Sequence, residues 1–173
     1  MSDNFTNLTG KVLVAMPYAM EGNIFHESMI YVIQHSKEGA IGLIFNRPMK
    51  TIPSDELAKK IKSSFTLPDI DMEAHVGGPV EIERGFFLHT MDYNKNLLYK
   101  SDDGELGVSS NNQIVSDINE GEGPAKAVFI LGYTGWGEGQ LEFEMENNLW
   151  LVSKPDHDLI FADDLPIKWN IWL

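Results

Sequence analysis

Ala127, Val128, Phe129, Ile130 and Leu131 form an unbroken apolar run, and Gly132, Gly135, Gly137 and Gly139 punctuate the segment after it. The pattern predicts a short buried strand and then a sharp glycine turn, with Trp136 inside the turn as a packing plug or an exposed recognition surface. Further on, Leu141, Phe143 and Met145 alternate as in a strand, yet the interleaved glutamates are good helix formers and a glycine turn after a strand commonly opens a helix. The expectation is a helix over residues 140–147, then a strand over 149–152.

The rest of the chain divides the same way. Residues 11–16 read as a first strand ended by Pro17, and 28–34 and 40–45 are two near-continuous apolar runs joined by a glycine-containing hairpin loop at 35–39. Neither run alternates cleanly, so both faces of this pair are expected to be covered and the pair to lie centrally in the sheet. A helix is predicted over 55–64, capped by Ser54 or Thr51, with Leu57, Ala58 and Ile61 on one stripe and lysines opposite, followed by an acidic loop over 68–73. Strands are expected at 73–76 and 84–89 around Gly77, Gly78, Pro79 and Val80. Two glycines without Cβ atoms let that turn approach another element closely. Residues 91–104 suggest a hairpin tip and 106–109 a returning strand. Asn111 or Asn112 caps a short helix through Asn119, and a final helix carries Trp169 and Trp172.

Composition narrows the function. The 173 residues suit one compact domain over 1–173, and the chain contains no cysteine, which excludes disulfides, thiolate nucleophiles and cysteine metal sites. The first ten residues carry no signal-peptide pattern and no apolar run approaches about 18 residues, so a soluble cytoplasmic protein with no membrane contact is expected. The net charge is −13, and it is uneven: residues 101–173 hold 3 basic against 14 acidic side chains. Such a field disfavours direct nucleic-acid binding, unless Arg47, Lys50, Lys59, Lys60 and Lys62 gather into one patch.

Few stretches carry the marks of chemistry. The glycines at 132–139 lack the lysine and hydroxyl of a P-loop and the spacing of a dinucleotide fingerprint, and Glu138 and Glu142 would repel phosphate at a helix start. His26, His35, His75, His89 and His157 include no i, i+3 or i, i+4 pair, so no metal site is expected, although His75 and His89 lie on strands predicted to be neighbours. No G-x-S-x-G elbow occurs. There is a candidate ligand site at Asn46, Arg47, Gly77, Gly78 and His89, where a guanidinium beside backbone donors could hold a small anion. A candidate interaction surface comprises Trp136, Gly137, Gln140 and Glu142.

With these pieces in place, the chain resembles the AlgH/YqgE family of bacterial proteins. The match rests on Gly10 with Leu13, Ala15 and Pro17; on His35, Gly39, Gly42, Asn46, Arg47 and Pro48; on Gly77, Gly78, Pro79 and Val80; on Gly85, Leu88 and His89; and on Gly135, Trp136, Gly137, Gly139, Gln140 and Glu142 with Trp150. The resemblance implies an α/β (α+β) fold, a mixed, partly barrel-like β-sheet flanked by helices, in a family of unestablished activity often labelled as transcriptional regulators. The family often carries a cysteine before the His35 position; here Val32, Ile33 and Gln34 stand there, so a thiol-based role does not apply. The expected function is a non-enzymatic, cofactor-free binding or regulatory module acting through a protein partner, with indirect influence on transcription. The alternative is a small-anion-binding protein, or an enzyme of unrecognised type, centred on Arg47 and the Gly77–Gly78–Pro79 turn.

Overall fold

The computed structural model describes residues 6–17, 19, 25–49 and 72–162. The strands are β1 (Val12–Ala15), β2 (Met29–Ser36), β3 (Gly39–Ile44), β4 (Ala74–Val76), β5 (Val80–Thr90), β6 (Tyr99–Lys100), β7 (Leu106–Ser109), β8 (Ala127–Trp136) and β9 (Trp150–Ser153). Among the described residues three helices interrupt them: α1 (Asn112–Asn119), α2 (Gln140–Glu146) and α3 (His157–Ile160). The predicted helices over 55–64 and after Asp163 or Asp164, with the acidic loop between Pro68 and Asp71, fall outside the described residues, as do Lys50, Lys59, Lys60 and Lys62.

The strands run in the order β6-β7-β5-β8-β3-β2-β1-β9, with β4 lying parallel beside β8 and the other pairs antiparallel. The sheet is therefore mixed and mostly antiparallel, with few helices. Where a partly barrel-like sheet was expected, the path ends in β6 at one edge and β9 at the other, and these are not hydrogen-bonded to each other.

Both faces of the central strands are covered, as the unbroken apolar runs required. Val12 and Val14 of β1 pack with Met29, Tyr31, Leu43 and Phe45 on one face, while Leu13, Ile30, Val32 and Ile44 pack on the other against Trp136 and Trp150. A third cluster places Ile114 of α1 against Phe87, Phe129 and Leu131. Helix α1 begins where its cap residue dictates: the Asn111 side chain accepts from the Ile114 amide at 3.0 Å.

The largest departure from expectation concerns Gly132. No turn occurs there; β8 runs on to Trp136, and the chain turns at residues 137–139 instead. Gly132 has φ +76°, and a Cβ at this position would lie 2.6 Å from the Gly78 carbonyl. The glycine lets one strand change partner without ending: residues 129–131 pair with β4, and 134–136 with β3. Helix α2 then follows as expected, entered through Gly139 at φ +75°.

Candidate functional site

Asn46, Arg47, Gly77 and Gly78 do come together. The Val76 amide donates to the Arg47 carbonyl at 2.9 Å, and the Gly77 carbonyl accepts from the Ile44 amide at 3.0 Å and the Thr134 hydroxyl at 2.9 Å. Asn46 accepts from the Met29 amide at 2.8 Å and donates to the Glu27 carbonyl at 2.9 Å, and the Arg47 guanidinium donates to the His26 carbonyl. The turn makes the close approach its glycines allow: a Cβ on Gly78 would lie 2.2 Å from the Tyr133 backbone. These polar groups thus stitch strands together.

His89 does not join them. It pairs with Ala127 on β8 whereas Val80, beside the glycine turn, pairs with Tyr133, six residues along; at ~3.3 Å per residue that is about 20 Å. His75 and His89 do not face one another either, because β4 and β5 flank opposite edges of β8. His89 is fully buried, its Nδ1 bonded to the Thr90 carbonyl and its Nε2 to the Ser109 hydroxyl, each at 2.8 Å. The carbonyl accepts, so Nδ1 carries the proton and Nε2 receives that of Ser109. Burial lowers its pKa below the ordinary imidazole value, against the opposing pull of the Thr90 carbonyl and Asp92.

The expected interaction surface needs a similar correction. Trp136 is only 5% exposed, so the indole is a packing residue. Its Nε1 donates to Glu144 Oε1 at 3.0 Å and Trp150 Nε1 donates to the same oxygen at 2.9 Å, while Gln140 Nε2 bonds the other carboxylate oxygen at 3.0 Å. One carboxylate thereby locks α2 onto two indoles that meet edge to face. Glu142 is also engaged, 2.5 Å from His35 Nε2, and because the Leu8 amide donates to His35 Nδ1 at 3.0 Å, Nε2 carries the ring proton toward Glu142. What α2 presents outward is Phe143, 63% exposed; its first residue Gln140 and Gly137 in the turn before it are exposed too.

A different site emerges at the seam between the sheet's two edges. A cavity of about 530 Å³ is lined by residues from before β1, from β2, from β6 and the loop after it, and from the segment after β9. Its floor is a pair of phenols, Tyr31 and Tyr99, whose hydroxyls lie 3.1 Å apart. Tyr31 is fully buried, and a buried hydroxyl proton takes an acceptor. One phenolic proton therefore lies between the two hydroxyls, and the other is left for a different acceptor. Burial and the bond to Tyr99 push Tyr31 up, whereas that bond offsets part of the rise that burial causes in Tyr99.

Around this floor stand Lys11 and Lys154, and Asp102 and Asp103. Asp103 Oδ1 accepts from the Ser101 hydroxyl at 2.6 Å and the Glu105 amide at 3.0 Å, bonds that with His157 hold its carboxyl below the usual carboxylate range. Gly10, at φ +84°, closes one side, and a Cβ there would come within 3.2 Å of the Tyr99 hydroxyl. Sequence reasoning missed this cavity because its walls are far apart in the chain. The available signals were a phenol inside the otherwise aliphatic run of β2 and a glycine just ahead of β1.

Comparison with known proteins agrees with this architecture. A family model described as AlgH-like matches residues 12–173. A UPF0301 protein of Rickettsia felis is 49% identical over 166 residues, covering 96% of this chain and 87% of its own, and one from Rickettsia peacockii is 49% identical over 171 residues, covering 98% and 89%. Among solved structures, the solution structure of the AlgH protein from Pseudomonas aeruginosa superimposes with a TM-score of 0.68 at 34% identity, over 99% of this chain and 89% of that one. The X-ray structure of DIP2367 from Corynebacterium diphtheriae shares the fold, with a TM-score of 0.69 at 21% identity over 99% and 88% of the two chains. The glycine-seated crossing at Gly77 and Gly78 and the indole-bearing segment around Trp136, which carried the resemblance, lie within the matched region, and the chain belongs to the AlgH-like family.

Proposed function

We propose that this AlgH-like protein is a cytoplasmic, non-enzymatic binding module whose seam cavity holds a small polar ligand. The observation that carries the reading is the phenol pair at the base of a cavity of about 530 Å³, within the few-hundred-to-thousand Å³ span usual for small-molecule sites. The ligand-binding alternative thus moves from Arg47 to the Tyr31–Tyr99 floor. Binding is favoured over catalysis because the Ser109–His89 hydrogen bond lies where no substrate reaches: both side chains are fully buried. The cytoplasmic assignment draws on the absence of cysteine, and among the described residues no helix is long and apolar enough to cross a membrane. The net charge of −13 argues against duplex DNA as the direct partner.

Amide chemical shifts of the labelled protein, recorded against a library of small polar compounds, test the proposal. Binders should move Gly10, Lys11, Tyr99 and Asp102 together, and Tyr99→Phe should weaken them; hits that leave these four amides still would overturn it.

A second reading has its own observation. Phe143 at 63% exposure stands on a helix fastened rigidly by Glu144, among the carboxylates Glu138 and Glu146, which suits a basic protein partner with an apolar pocket and an indirect regulatory role. Photo-crosslinking in cells from position 143 should capture one defined protein that an exposed control position on another part of the fold, Asp102, does not. Equal capture from both positions would dismiss this reading.

A further inference from the structure

The charges around the seam cavity are of both signs, and they do not neutralise one another. Lys11 and Lys154 line the same cavity as Asp102 and Asp103, yet among the described residues no ion pair joins either lysine to either aspartate. With 26 acidic side chains against 13 basic, a lysine in this protein has carboxylates in abundance, and two of them share its cavity. The lysines come from the segments beside β1 and β9, the aspartates from the loop after β6. Asp103 is positioned by two bonds to a single oxygen, Oδ1, with His157 on the same cavity adding an electrostatic pull on the carboxylate. Asp102 is exposed at the rim.

The floor adds direction. Only one phenolic proton can lie between the two hydroxyls, so the other requires an acceptor, and both rings line the cavity; the missing Cβ of Gly10 keeps that wall clear of the Tyr99 hydroxyl. A simple anion would satisfy Tyr99 and the lysines but meet two carboxylates in a strongly acidic protein. A simple cation would satisfy the aspartates but leave the phenolic donor and the lysines facing it. A molecule carrying both charges, separated by a few bonds, satisfies all of them.

Resting on the ligand-binding reading above, we infer that the seam cavity recognises a small zwitterion of the amino-acid or dipeptide kind. Asp102 and Asp103 receive its ammonium, and Lys11, Lys154 and the Tyr99 hydroxyl receive its carboxylate. The rim charges are partly solvated, so each end contributes roughly a tenfold gain in affinity, as charge-assisted hydrogen bonds at accessible sites do.

Four compounds test this on the intact labelled chain by amide shift titration: glycylglycine, its N-acetyl form, its C-terminal amide, and N-acetylglycinamide with both ends blocked. Glycylglycine should shift residues 9–11 and 99–103 and bind about tenfold more tightly than either singly blocked form. The double variant Asp102→Asn, Asp103→Asn should erase the preference for a free amine while keeping that for a free carboxylate, and Lys11→Met, Lys154→Met should do the converse. These positions lie at the rim, so the variants' dispersed spectra will confirm that they fold. If the doubly blocked compound binds as well as glycylglycine, or only one free end matters, the zwitterion inference falls while the ligand-binding reading stands. If none of the four shifts these amides, the inference falls, and the library screen decides the broader reading separately.

Discussion

The hydroxyls of Tyr31 and Tyr99 lie 3.1 Å apart, although β7, β5, β8 and β3 all stand between their strands in the sheet. A flat sheet would hold these side chains several strand spacings apart, at about 4.8 Å each. Their contact records the curl that brings the β6 edge over the face of β2 and creates the seam. The rings meet edge to face, with centroids 5.8 Å apart.

Removing the two hydroxyls should have unequal costs. Tyr31→Phe removes one partner and leaves the less buried Tyr99 hydroxyl still on the cavity, a loss of about 1 kcal/mol. Tyr99→Phe leaves the fully buried Tyr31 hydroxyl without this partner and should cost about 2 kcal/mol, although Tyr99 is the more exposed of the two. Urea unfolding of both variants and of the double variant checks the order, and the double variant should lose less than the sum.

Alkaline pH should destabilise the protein. Burial, reinforced by hydrogen bonding, raises Tyr31, and burial raises Tyr99, while burial with the bond to Asp117 pushes Tyr93 up to about 12. A phenol whose folded pKa exceeds its unfolded value of 10.0 contributes stability that is whole below pH 10 and is lost as pH climbs toward the folded value. Phenolate absorbance should therefore rise later in the native protein than in urea, with unfolding midpoints falling above pH 10.

On the acid side His89 sets the trend. Its folded pKa lies below the ordinary 6.5, so the stability it confers is complete above pH 6.5 and declines as pH falls through the folded value. The His89 ring resonances should titrate below those of a denatured control. A ring that titrates at or above 6.5 would contradict its buried, neutral role.

Glu144 should be the most sensitive position in α2. Replacing it with alanine leaves both the Trp136 and Trp150 indole N–H groups without their common acceptor, at a cost of about 3 kcal/mol. Glu144→Gln keeps one carbonyl oxygen and should lose less. Tryptophan emission of the alanine variant should shift to the red if the indoles loosen, and an unchanged spectrum with unchanged stability would refute the clamp.

Two glycines with positive φ should separate close approach from mere strain. Alanine at Gly78 would place a Cβ 2.2 Å from the Tyr133 backbone, which the crossing cannot relieve, and the variant should lose about 4 kcal/mol or fail to accumulate as folded protein. Gly121 has φ +79°, and the Cβ an alanine would add there meets nothing within 4 Å, so Gly121→Ala should cost only about 1 kcal/mol. Urea midpoints of the two variants, measured side by side, check the contrast.

Much of the architecture was legible in the order of residues alone. The unbroken runs of β2 and β3 announced a pair covered on both faces, the asparagine pair Asn111 and Asn112 announced the start of α1, and Gly77 and Gly78 announced a close crossing. These are local or nearly local statements, made by side-chain periodicity, capping chemistry and the absence of a Cβ. Gly132 misled for a physical reason: a positive φ serves a turn and a change of ladder partner equally well, and only the pairing of β8 with both β4 and β3 decides between them.

Trp136 and the seam cavity lay beyond local reading altogether. Whether an indole between glycines is covered depends on a carboxylate eight residues later and on a second indole across the fold. Whether Tyr31 is merely core or the base of a cavity depends on a partner 68 residues away. Amino-acid pattern set which faces of each strand are apolar; the curl of the sheet, a product of long-range pairing, decided which of those faces meet and where they part to leave a cavity.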